Sequence, residues 1–228
     1  MIFKQLFDME TCTFIYVIAS GVGREGIIID PVDTHIDQYV QLVKELGLKL
    51  VASVDTHVHA DHITASGRLR EQTQCESVIG DQSKAECVSL KIKENEAIDF
   101  DGLSLKALYT PGHTDDSYSF TVGDKVFTGD TLLIRGTGRT DFQNGDAAAQ
   151  YDSIMNKLFS LPEQTLVYPA HDYHGRTSST IWEEKRFNPR LQVASEQEYI
   201  DLMASLDLPK PKYMDVAVPA NLRCGLGR

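Results

Sequence analysis

No run in this chain approaches the roughly 20 consecutive apolar residues that a membrane-spanning helix needs, and no charge of basic sign accumulates anywhere along its 228 residues. Lysine and arginine number 22 against 33 acidic residues, for a formal charge of −11. A polyanion partner is therefore excluded as the default, since a nucleic-acid binder needs a basic face. Cysteine is scarce as well: four residues, at 12, 75, 87 and 224, with no Cys-x-x-Cys pair. That spacing excludes a thiolate zinc ribbon and leads us to expect reduced, buried thiols. The start, Met1-Ile2-Phe3-Lys4, lacks the features of a secretory leader, and a cytoplasmic protein is expected. Linkers, low-complexity tracts and short repeats are missing too. With 42% hydrophobic residues the chain can bury a full core, and we expect one domain over residues 1–228, with 188–228 packed on it as a C-terminal extension.

What the chain does have is histidine in one place. Residues 56–62 read Thr-His-Val-His-Ala-Asp-His, directly after the apolar run 50–54. His57, His59, Asp61 and His62 put three imidazoles and a carboxylate within six residues, a donor set for one or two metal ions. His57 and His59 are two apart, so at a strand end they face the same way.

Around this cluster, strand-like and helix-like segments alternate. Residues 13–19, 26–29 and 49–54 read as strands, the second stopped by Asp30-Pro31. A helical stripe at 36, 39, 40, 43 and 46 ends at Gly47, a C-cap candidate. A helix over 63–72 and a strand at 77–79 follow. In the second half, 103–109, 118–122, 125–128 and 166–168 read as strands, with Gly123-Asp124 as a hairpin turn. Asp146 can cap a helix, and Ser195-x-x-Glu198 is a capping box opening a helix that buries Tyr199, Leu202, Met203 and Leu206.

Three strand ends repeat the theme of a tight turn that presents a ligand: Pro111-Gly112-His113, Thr128-Gly129-Asp130 and Pro169-Ala170-His171. In this order, with the His57 cluster, they resemble the metallo-β-lactamase superfamily, which implies an αββα four-layer sandwich of the α+β class. That scaffold hosts many chemistries, so the reaction must be read elsewhere. Arg135-Gly136-Thr137-Gly138-Arg139-Thr140-Asp141-Phe142 is similar to the Arg-Gly-x-Gly-Arg-Thr-Asp-Phe signature of the persulfide dioxygenases (sulfur dioxygenases). Asn188-Pro189-Arg190-Leu191, Leu208-Pro209-Lys210-Pro211 and Pro219-Ala220-Asn221-Leu222-Arg223-Cys224-Gly225 resemble that family's C-terminal region.

The resemblance implies a single Fe(II) held by His57, His113 and Asp130, with His59, Asp61, His62 and His171 as supporting groups or as ligands of a second metal. A two-histidine, one-carboxylate face leaves open positions for a substrate sulfur and O2, which redox-silent zinc could not use. The implied reaction oxidises glutathione persulfide with O2 to sulfite and glutathione. Asp61, His171 and Tyr173 are then candidates for orienting ligands or transferring protons. Glutathione carries two carboxylates, so Arg139 and Arg190, with Tyr173, are candidate substrate-binding residues. A homodimer is compatible with the resemblance; nucleic acid and membrane are not expected partners. His35 and His174 match no ligand position, and Cys224 is expected to be a buried, inert thiol. The alternative is a dinuclear zinc thioesterase of glyoxalase II type. Thr140-Asp141 and the 57 residues after His171 disfavour it, because that enzyme would show Gly-Arg-Phe-Phe-Glu and a longer helical C-terminal region.

Overall fold

The computed structural model describes residues 1–226. Its strands form two six-stranded mixed sheets. The first runs β1 (Ile2–Asp8), β2 (Thr13–Ala19), β3 (Glu25–Ile29), β4 (Lys49–Val54), β5 (Glu76–Gly80) and β6 (Leu90–Ile92) in spatial order. The second holds β7 (Ala97–Phe100), β8 (Leu103–Tyr109), β9 (Tyr118–Val122), β10 (Lys125–Gly129), β11 (Leu166–Pro169) and β12 (Ser179–Thr180), in simple neighbour order. The first sheet begins as antiparallel β1–β2–β3 and continues parallel through β4, β5 and β6.

The side-chain period of two sorts the core into layers. On β2, Phe14, Tyr16 and Ile18 face the second sheet, where Phe100, Leu105, Phe120 and Phe127 meet them. Ile15, Val17 and Ala19 face the other way, against α1 (Ile36–Glu45) and α2 (Ser66–Thr73). β2 is buried along its whole length, which is why its sequence TFIYVIA shows no polar alternation. On the far side, Val126 and Val167 pack under α3 (Ala147–Asp152), α4 (Ile181–Phe187) and α5 (Glu196–Ala204). The last helix, α6 (Met214–Asn221), contains Pro219 and lies by the cluster of Val58, Ile79 and Ala85. Helix, sheet, sheet, helix is the layer order.

Strands expected at 13–19, 49–54, 103–109 and 118–122 occur with those limits, and Gly47 follows α1 at φ +61°. Ser195 accepts the Glu198 N–H as expected, but the Glu198 carboxylate takes the N–H of Ala194 rather than that of the cap residue. The helix expected from residue 63 starts three residues later. Thr64 Oγ1 accepts the Ser66 N–H and turns the chain first.

One expectation fails. Cys87 and Cys224 are joined in a disulfide across 137 residues, so neither is a free thiol. Cys224 is buried, as expected, yet it is a cross-link; Cys12 and Cys75 remain free. The sequence spacing hid this pair because chain folding alone brings β5's exit loop beside the end of α6.

Candidate metal centre

Each ligand candidate leaves a strand at its C-terminal end. β4 delivers His57, His59, Asp61 and His62; β8 leads to His113; β10 ends at Asp130; β11 leads to His171. Glycine makes one of these turns possible and lets the wall loop pass close over the ligand cluster. Gly112, at φ +139°, approaches Gln150 so closely that a Cβ would lie 2.3 Å from its backbone. Gly138 passes over Asp130 and His113, where a Cβ would sit 2.2 Å from the Asp130 carbonyl and 2.9 Å from His113 Nδ1.

The ring nitrogens are sorted by their partners. His57 Nδ1 meets Thr56 Oγ1 at 3.0 Å, and His113 Nδ1 donates to the Arg139 carbonyl at 2.7 Å. Their Nε2 atoms make no hydrogen bond among the described residues. Asp130 Oδ1 accepts from His171 Nδ1 at 2.7 Å, and its Oδ2 lies 3.6 Å from His113 Nε2. One donor atom from each of His57, His113 and Asp130 falls within a 4.8 Å cluster. Two imidazoles and one carboxylate, with the backs of both rings fixed by oxygen acceptors, fit a divalent first-row metal ion.

A second cluster, His59, Asp61 and His62, also converges within 4.8 Å. It is built into hydrogen bonds on one side. His59 Nε2 meets Asp30 Oδ1 at 3.1 Å, and Asp61 Oδ2 accepts from His62 Nδ1 and His171 Nε2, both at 2.9 Å. His59 Nδ1 and His62 Nε2 are buried with no partner. Burial opposes charge on these groups, and their neighbours decide the outcome. Burial first, and then the neighbouring His59 and His113 rings, hold His57 well below the ordinary imidazole range. Burial works against charge on His59 too, but Asp30, Asp61 and Asp55 carry its pKa up to about 9. Burial would likewise raise Asp61 and Asp130, and the adjacent histidines hold both carboxyls below the usual carboxylate range instead.

Several contributors to this floor carried no signal in the sequence. Asp30, at φ +51°, takes the Thr56 N–H and hydroxyl as well as His59, and the sequence reading saw it only as a strand stop. Asn221, on α6, donates to the carbonyls of His59 and His62 and accepts the Thr64 N–H, so the far end of the chain holds the histidine loop. Thr13 contacts His171 Nε2 at 3.1 Å and Asp61 at 3.2 Å. Each is an ordinary polar residue until the fold brings it here.

Above the floor opens a cavity of about 750 Å³, bordered by Asp61, His113, Asp130 and His171. Its walls are the loop 133–139, the turn 171–176 and residues 208–213. Tyr173 is 65% exposed in this wall, its ring parallel to His171 at 6.1 Å. Arg139 grips both oxygens of Asp141 at 2.6 and 2.7 Å and donates to the Pro209 carbonyl. Arg190 donates to the carbonyl and hydroxyl of Thr137. His174 is exposed at the rim, and His35 pairs with Asp8 at 2.8 Å, both away from the ligand cluster. The segment 188–191 buries Asn188, which donates to the Leu133 and Gly136 carbonyls and fastens the arginine loop.

The layered frame and the His/Asp cleft at its strand ends define a metallo-β-lactamase-fold metalloprotein, and the model of the metallo-beta-lactamase superfamily matches residues 88–171. The chain is 48% identical to persulfide dioxygenase ETHE1, mitochondrial, of Mus musculus, over 99% of this chain and 89% of the mouse protein. The Homo sapiens protein of the same name is 47% identical with the same coverage. The crystal structure of ETHE1 from Myxococcus xanthus superposes with a TM-score of 0.96 at 52% identity, covering 99% of this chain and all of that one. The chain belongs to the persulfide dioxygenase family.

Proposed function

We propose that this protein is a mononuclear non-haem Fe(II) dioxygenase that oxidises glutathione persulfide. The observation that carries this reading is the cluster of His57, His113 and Asp130, the last two bordering a cavity large enough for a tripeptide, in a chain so similar to persulfide dioxygenases. The balanced reaction is persulfide plus O2 plus water giving thiol, sulfite and two protons. The outer sulfur rises from the zero to the +4 state, and O2 takes up the four electrons.

Fe(II) bound at His57, His113 and Asp130 would supply the one-electron chemistry that O2 requires. The protein's own groups do the rest. His113 is held square to its task by the Arg139 carbonyl, and His57 by Thr56. His171 bridges Asp130 and Asp61, so the ligand carboxylate and the carboxylate beside the cavity move as one unit. Asp61 Oδ1, the oxygen not used by His62 or His171, stays ionised and would accept a hydrogen bond from the water and orient it. Tyr173, stacked on His171, offers the cavity a hydroxyl with no protein partner among the described residues. Arg190 and the wall formed by Arg139 bind the glutathione moiety. The described part of the C-terminal extension, residues 188–226, completes one domain with the rest by fastening the histidine and arginine loops.

We place the enzyme in the cytoplasm; among the described residues no helix is long and apolar enough to cross a membrane. A homodimer is compatible with this reading, with no nucleic acid or membrane as partner. Oxygen uptake by metal-quantified protein, with sulfite assayed as product, tests it. One iron per chain and sulfite matching oxygen consumed are the expected results. Two zincs per chain, with cleavage of S-lactoylglutathione and no uptake from iron-loaded protein, would replace it with the thioesterase reading.

A further inference from the structure

Six long cationic side chains border the cavity: Arg135, Arg139, Arg176, Arg190, Lys210 and Lys212. The protein neutralises half of them itself. Arg135 is paired with Glu183 and Glu184, Arg139 with Asp141, and Lys210 with both oxygens of Asp215 at 2.8 Å. Arg176 and Arg190 differ: among the described residues their guanidiniums donate only to oxygens of the loop, Ile134 O for Arg176 and Thr137 O and Oγ1 for Arg190. A carbonyl satisfies one N–H without cancelling the charge. Both guanidiniums therefore keep a full positive charge and unused donors, beside one short loop that the Leu133–Gly136 bridge folds back on itself.

Their placement is not that of loose surface arginines. Arg190 is half-buried, and burial lowers its pKa, as expected of a cation lacking an anion. Arg176 is exposed, but its backbone is pinned: Asp172, buried beside His171, accepts the N–H groups of both His174 and Arg176 at 2.8 Å. The turn that carries His171 into the metal floor thus fixes where Arg176 stands. In a chain of net charge −11, two guanidiniums with no carboxylate partner among the described residues, on the wall of one cavity, suit a ligand with two carboxylates.

We propose that Arg176 is a specificity-determining residue that pairs with one carboxylate of the thiol carrier while Arg190 faces the other. This rests on the persulfide reading of the same site. Arg139, engaged by Asp141, serves as wall rather than clamp.

The test is a binding cycle on the metal-loaded protein with unreactive thiols, read by calorimetry, so that it does not depend on turnover. The ligands are glutathione, its glycyl monoethyl ester and cysteinylglycine; the proteins are wild type, Arg176→Gln and Arg176→Lys. Glutathione should bind Arg176→Gln about tenfold more weakly, the size of a lost charge-assisted hydrogen bond, with Arg176→Lys between the two. One of the two truncated ligands, the one lacking the carboxylate that Arg176 reads, should bind wild type and Arg176→Gln equally. With glutathione persulfide, the loss should fall on KM rather than kcat, and metal content should not change. Equal weakening of all three ligands by Arg176→Gln, or no weakening of glutathione, would overturn the proposal. Carboxylate selectivity without oxygen uptake by the wild type would instead leave the clamp standing and remove the dioxygenase reading.

Discussion

The floor and the mouth of this cavity are built by opposite means. On the floor, the rings are held from behind: Asp30, Thr13, Thr56, Asn221 and the Arg139 carbonyl hold His57, His59, His113 and His171 or the backbone beside them. At the mouth, Tyr173, Arg176 and Lys212 are exposed and lightly held. Geometry that must fit a metal ion within fractions of an ångström is over-determined by its surroundings. Recognition of a flexible tripeptide needs charge of the right sign and room to close on it. The same molecule therefore spends its buried hydrogen bonds on one region and its unpaired cations on the other.

The largest break in this comparison is His113→Ala. It removes one of the three proposed ligands and should lower bound metal and oxygen uptake together, by about a thousandfold in rate, if the metal carries the chemistry as proposed. Metal analysis beside an oxygen electrode measures both, and retention of either would displace His113 from the ligand set. Next comes the cross-link that ties the tail to the floor. Cys87→Ser opens a loop of 137 residues and should cost about 5 kcal/mol of stability by the loop-entropy argument. Urea unfolding with and without reductant reports it. The wild type should fall to the variant's midpoint on reduction, and a midpoint indifferent to reductant in the wild type would mean that the bond does not form.

A smaller effect sharpens the contrast at the mouth. Asp141→Asn releases the Arg139 guanidinium from its carboxylate while the Leu208 and Pro209 carbonyls still hold it. Stability should move by less than about 1 kcal/mol, because Asp141 is exposed and the pair is screened. Glutathione should bind somewhat more tightly to the more cationic wall. Weaker binding, by calorimetry, would make the Arg139–Asp141 pair part of the recognition surface itself.

The smallest effect is a pH dependence under the floor. Asp8 leads through Thr11 and Thr13 to His171. Burial would raise its carboxyl, but the Thr11 hydroxyl and N–H and the His35 ring lower it below the usual 3.8. A depressed folded pKa stabilises the protein above the unfolded value and is lost as pH falls through the folded one. Asp8→Asn should therefore destabilise near neutrality, and the gap to wild type should close below about pH 4. A gap that stays constant on acidification would show that Asp8 acts through shape alone.

How much of this was legible beforehand follows the same division. His57, His113 and Asp130 sit in turns at strand ends whose residues are contiguous in the chain, so local spacing exposes them. β2, with its unbroken TFIYVIA, and the Ser195 cap are legible for the same reason. Arg139 and Asp141, two residues apart, are open in the sequence to either an ion pair or substrate binding, and side-chain direction decides for the pair. Asn221 lies 162 residues from the His59 carbonyl it holds, and Cys87 lies 137 from Cys224. No local pattern encodes such meetings.

By itself, then, the sequence supplied the alternation of strands and helices, through the periodicity of apolar residues, and the motifs whose resemblance to a family implies the candidate ligands. Only the tertiary structure decided which cations stay unpaired, which cysteines join and which distant amide holds the histidine loop. Those depend on where two surfaces close on one another, and pairing across a fold is settled by packing, not by proximity along the chain.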